Sequence, residues 1–138
     1  MNTENEDRNR AESARVYARI IADMEAKFPW IDLAEAREDR LCEGLPTVLL
    51  DLYISEQVLE RVAEDGEAGE LREFFNYVES VLQGADALMI ECFETTFLEK
   101  LVSERRNKVA SVLPMCGEKT KKRIGDAMDR FKLEHHNR

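Results

Sequence analysis

The chain contains few groups that could perform bond chemistry. Its two histidines, His135 and His136, are adjacent and close to the last residue, Arg138. A Ser-His-Asp or Cys-His site would need one of them held in an ordered place, whereas the end of a chain is where mobility concentrates. The three cysteines, Cys42, Cys92 and Cys116, are odd in number and widely spaced. That spacing argues against a disulfide framework and against a zinc knuckle. Cys92 lies among Leu88, Met89 and Phe93 and reads as a small core hydrophobe. Cys42 precedes a helix end. Cys116 falls in the turn Pro114-Met115-Cys116-Gly117, which leaves two readings open: a core thiol like the others, or an exposed one whose pKa Lys119 and Arg123 lower.

The carboxylates are more numerous and no more catalytic. Glu91 and Glu94 have the i, i+3 spacing of a carboxylate-bridged di-metal bundle, but no histidine accompanies them. Glu99 stands in the apolar run Phe97-Leu98-Glu99-Lys100-Leu101. It reads as a structural polar anchor, paired with Lys100 or an arginine. If buried, it would hold the N-terminus of a neighbouring helix. Neither a phosphate-binding glycine loop nor a nucleophile elbow occurs. The expectation is a non-enzymatic chain with no catalytic residue, no metal and no cofactor.

The elements that would position these groups are all helical. No period-2 run of β-branched residues bounded by turns is present. Ala14, Tyr17, Ile20, Ile21, Met24 and Phe28 share one helix face, which predicts a helix over about 6–28, stopped by Pro29. A short helix over 32–43 is predicted from Asp32 as N-cap, Glu35 as its capping-box partner and Gly44 as the C-terminal cap. Pro46 opens a third helix that runs to Glu64 and the Asp65-Gly66 turn. A fourth spans 70–83. The fifth, over 85–103, is apolar almost all round and is predicted to be central, with a break near 103–107 and a stop at Pro114. A last helix covers 118–135. These spacings predict an all-α fold, an irregular bundle or short α-α array of six to seven antiparallel amphipathic helices. One domain covers 1–138, with 1–8 and 134–138 expected to be disordered. No apolar run is long enough to span a membrane, and the polar first ten residues do not read as a secretory signal, so a cytoplasmic location is expected.

Charge is unevenly distributed along these helices. The 138 residues carry a net charge of −9. Between Leu41 and Glu99 there are 14 acids and only two bases, Arg61 and Arg72. Since the apolar stripes turn inward, the acids must lie mostly outside. Such a surface repels nucleic acid, whose phosphates need cations, and it either stays solvated or attracts a basic partner. Arg105, Arg106, Lys108, Lys119, Lys121, Lys122 and Arg123 cluster around the Pro114–Gly117 turn. Without interleaved aromatics to stack bases, they suggest internal pairing before nucleic-acid contact.

The run from Leu71 to Leu101, with Phe75, Tyr77 and Glu79 on one helix and Phe97, Leu98, Glu99 and Leu101 on the next, resembles small helical bacterial immunity proteins. These belong to toxin–immunity pairs, including contact-dependent growth inhibition systems, and Leu52, Tyr53 and Ile54 fit the same pattern upstream. The resemblance implies an all-helical fold and a cognate toxin as protein partner, and carries over no catalytic residue. Combined with the charge, it implies a basic, nuclease-type toxin domain. The expected contact residues flank the Asp65-Gly66 turn: Glu56, Glu60, Glu64, Asp65, Glu67, Glu70 and Glu73. Two other readings stay open: a helical adaptor that binds a partner helix in an apolar groove, and a self-associating domain such as a homodimer.

Overall fold

The structure, a computed structural model, describes residues 3–65 and 68–136, and among these described residues there are seven helices and no strand. Helix α1 (Thr3–Lys27) buries Val16, Ile20 and Met24 at i, i+4 steps. It begins earlier than expected, so 3–8 are helical; Glu4 and Glu6 in the first turn suit the positive end of the helix dipole. Phe28 ends it before Pro29, as the proline requires.

Helix α2 is only Ala34–Glu38, much shorter than the predicted 32–43. The reason lies in two aspartates that compete for the backbone. The Asp32 carboxylate accepts the Ala34 N–H at 2.9 Å, closing a local turn in place of a capping box with Glu35. Asp39 adopts extended backbone and accepts the Leu41 N–H at 3.0 Å, so the chain leaves the helix there. Gln57 clamps the entry, accepting the Asp32 N–H at 2.8 Å and donating to its carbonyl at 2.7 Å. Gly44 supplies the left-handed residue (φ 76°) that returns the chain to Pro46.

Helix α3 covers 46–63 and is α-helical over Pro46–Leu49, π-helical over Leu50–Ser55 and α-helical again over Glu56–Ala63. Helix α4 is Ala68–Gln83. Helix α5 covers 87–104, again with a π segment, Glu94–Leu98, between Ala87–Phe93 and Glu99–Glu104. The predicted break follows at Arg105. The chain then continues as α6 over 106–115, a short irregular helix of mixed 3-10 and α turns ending at the Pro114 turn. Helix α7 is Glu118–His136, so 134–136 are helical, and 137–138 lie outside the described residues.

Helix α5 is central, with α1, α3, α4 and α7 all packed against it. Phe93, Phe97, Leu98 and Leu101 are completely buried on it. Phe74 and Phe75 of α4 meet Phe97 with ring centroids 5.1 and 5.7 Å apart, and Phe28 meets Phe74 at 5.2 Å. Edge-on and tilted aromatic contacts of this kind add to the area each ring removes from water. The two π segments lie side by side, and Ser55, fully buried, donates to the Thr96 carbonyl at 2.9 Å. A π turn frees carbonyls from the i−4 ladder. In α5 the Thr95 and Thr96 hydroxyls donate to the carbonyls of Glu91 and Cys92.

Candidate functional site

The acids expected to contact a partner lie on α3 and α4, and the structure divides them. Glu56 reaches the Lys100 ammonium at 2.5 Å, across to α5. Lys100 is largely buried, with only 12% of its side chain exposed, and also donates to the carbonyl and carboxylate of Asp51. Asp65 accepts from Lys108 at 3.0 Å and takes a left-handed backbone (φ 52°), which aspartate tolerates. Glu70 pairs with Arg61, whose guanidinium stacks over the Trp30 ring at 4.3 Å. These three carboxylates are therefore paired within the fold. Glu67 lies outside the described residues. Glu60, Glu64 and Glu73 are exposed and have no ion-pair partner among the described residues.

Glu60 and Glu64 occupy an unfavourable place for a helix left alone. With Glu56 they repeat at i, i+4, where like charges repel by a few tenths of a kcal/mol per pair. They also stand in the last turn and at the C-terminal cap of α3, where the dipole disfavours carboxylates. A cationic partner would relieve both effects.

Glu99, Glu79 and Asp86 are each bound to other groups within the fold. Glu99 is half-exposed and pairs with Arg130 of α7 at 2.7 Å. The grip on a neighbouring helix N-terminus belongs instead to Glu79 of α4. Its carboxylate accepts the Thr120 N–H and hydroxyl, both at 2.9 Å, and the Lys119 N–H at 3.3 Å. Burial pushes the Glu79 carboxyl up, but these bonds outweigh it and leave the pKa below its ordinary value. The sequence signal for Glu79 was its place among Phe75, Val78 and Leu82 on an otherwise inward face. Asp86 caps α5 by accepting the Met89 N–H, and it binds Arg15 at 2.8 Å and Arg19 at 3.1 Å. Arg15 is the main cause that holds the Asp86 carboxyl at about 2.

A cleft of about 490 Å³ lies between α3, α5 and α7, lined by Asp51, Thr95, Glu99, Lys100 and Arg130 among others. Its charges pair with one another, and the Thr95 and Ser103 hydroxyls donate to backbone carbonyls of their own helix. Glu94 is partly buried and pairs with Arg123, away from any metal-like grouping. No three His, Cys, Asp or Glu side chains converge among the described residues. The side chains of His135 and His136 lie outside them.

All three cysteines are free and buried. For Cys116 this selects the core reading over an exposed, activated thiol. Burial pushes its pKa up to about 12, outweighing the lowering by Lys121, and the sulfur sits 3.4 Å from the Val112 carbonyl. The Pro114 turn folds Cys116 against α4 instead of presenting it to solvent. Burial likewise raises Cys92 to about 11.

The basic cluster is partly internal. Lys108 and Arg123 are ion-paired, and Arg106 lies over the Phe131 ring at 4.8 Å. No helix among the described residues is long and apolar enough to cross a membrane. The chain matches no family model, no curated protein and no solved structure.

Proposed function

We propose that this protein is a non-enzymatic, cytoplasmic immunity-type protein that binds a basic, nuclease-type toxin domain through the acidic end of α3 and the adjoining face of α4. The observation that supports this reading most is the unpaired Glu60 and Glu64, set in repulsive register against the α3 dipole. Carboxylates in that position weaken the isolated helix and gain most from an external cation. Glu73 on α4 extends the same charge. Long-range attraction between such a surface and a basic domain speeds encounter and weakens as salt rises.

The test is capture from native lysate by the tagged full-length chain, at about 50 mM and about 500 mM salt. A basic protein retained only at low salt is expected, and co-expression of the chain should restore growth to cells making that protein. The triple variant Glu60→Lys, Glu64→Lys, Glu73→Lys should lose both capture and rescue. Capture that survives the triple reversal unchanged would sink the proposal.

A further inference from the structure

The basic part of the molecule frames an apolar groove. Between α6 and α7, Val109, Leu113 and Pro114 face Ile124 and Met128 across a cleft of about 560 Å³. Lys121 lines it as well, and no carboxylate does. The sequence around it, from Arg105 to Met128, holds seven bases against two acids, Glu118 and Asp126, within a chain of net charge −9. Lys119, Lys121 and Lys122 are exposed on α7.

Gly125 supplies an independent observation. It sits inside α7 and lines the groove. Glycine is the poorest helix former after proline. A Cβ at Gly117 would fall 2.5 Å from the Glu79 side chain, so packing demands glycine there. At Gly125 a Cβ would meet nothing within 4 Å, and no left-handed backbone requires glycine. Nothing inside the fold accounts for it, whereas a bare helix surface lets another backbone approach closely.

We propose that the α6–α7 groove docks an amphipathic helix of a partner protein, its apolar face seated over Gly125 and its acidic flanks against Lys121 and the neighbouring lysines. The helix-in-groove mode needs an apolar floor for anchors at i, i+3 or i+4 and i+7, and a rim of complementary charge. A second copy of this chain is a poor occupant. The large apolar residues of its acidic helices α3 and α4 are buried or partly buried in their own core, and only Leu52 stands exposed, too little for a row of anchors. A nucleic acid would need aromatic side chains for stacking, and the groove lining has none. The site is separate from the acidic end of α3 and does not rest on the function proposed for it.

The probe is a fluorescein-labelled synthetic helix of about 18 residues (roughly five turns), with leucines on one face and glutamates flanking them. Fluorescence anisotropy with the full chain should give micromolar binding that weakens with salt, and a scrambled peptide should bind at least about tenfold more weakly. Amide shift changes should centre on Val109, Ile124 and Met128. Gly125→Leu places a side chain in the groove at a position where its Cβ meets nothing within 4 Å, and Lys121→Glu reverses its rim. Each should weaken binding about tenfold or more while the thermal midpoint holds. Several outcomes overturn the proposal: no binding, equal binding of the scrambled peptide, or binding indifferent to Gly125→Leu. A groove-dependent dimer in sedimentation, or displacement of the peptide by a single-stranded RNA of about 20 nucleotides, does the same.

Discussion

Glu79 and Gly117 form a tertiary helix cap. Helix α7 starts without a cap from its own segment, and a carboxylate from α4 satisfies its first N–H groups. Gly117 must stay small because a Cβ would lie 2.5 Å from Glu79. Glu79→Ala and Gly117→Ala are each expected to destabilise by about 1–2 kcal/mol in urea titrations. Because both remove the same cap, the double variant should lose clearly less than the sum. Additive losses would separate the two residues. The thiols make a second residue-scale case. Cys116 and Cys92 stay protonated near neutral pH, with pKa values pushed to about 12 and about 11. A thiol reagent should therefore label the native chain far more slowly than the urea-unfolded chain at the same pH. Rapid native labelling of Cys116 would contradict its burial.

Among the elements, α3 and α5 are the most constrained, because each contains a π segment and the two segments face each other. Ser55 joins them by its bond to the Thr96 carbonyl. Ser55→Ala leaves that buried acceptor without its donor and is expected to lower stability by about 1–2 kcal/mol, read from chemical denaturation. Helix α5 also depends on its cap. The Asp86 carboxyl sits at about 2 in the fold against 3.8 as its ordinary value. Its contribution is therefore complete above about pH 4 and is lost as pH falls through about 2. Asparagine keeps the capping ability and removes the charge. Asp86→Asn should cost roughly 0.5–1 kcal/mol at neutral pH, since Arg15 and Arg19 are half-exposed. The gap between the two proteins should close between about pH 4 and pH 2. A gap that stays constant over that range would show the charge to be irrelevant.

On the scale of the whole molecule, two oppositely charged regions serve different ends. The acidic α3–α4 surface keeps Glu60, Glu64 and Glu73 unpaired, while part of the basic C-terminal region is used internally by Lys108, Arg123 and Arg130. Replacing the three unpaired acids by lysine should leave the fold intact. Relief of the repulsion at the end of α3 should raise the thermal midpoint slightly at low salt, and less so at high salt. A lower midpoint in that variant would mean that these acids stabilise the chain and are not held for a partner.

Helix positions, the central place of α5, the break near Arg105 and the inward stripes were legible in the sequence. Each depends on periodicity and on prolines and glycines acting within a few residues. The short α2 was not legible, because Asp32 and Asp39 bond the backbone in ways that spacing does not reveal. Of the acids expected at a partner surface, spacing could not tell Glu60 from Glu56 or Glu70. That distinction depends on Lys100 reaching α3 from α5 and on Arg61 meeting Glu70 across the α3–α4 turn. In the same way Glu79, not Glu99, received the helix N-terminus, and the Cys116 turn folded inward. The sequence by itself determined an all-helical chain with its charge divided between two regions, since local propensity and patterning suffice for that. Only the tertiary structure decided which charges are neutralised, which glycine is required by packing and where an apolar groove stays open, since these depend on residues distant in sequence coming within a few ångströms.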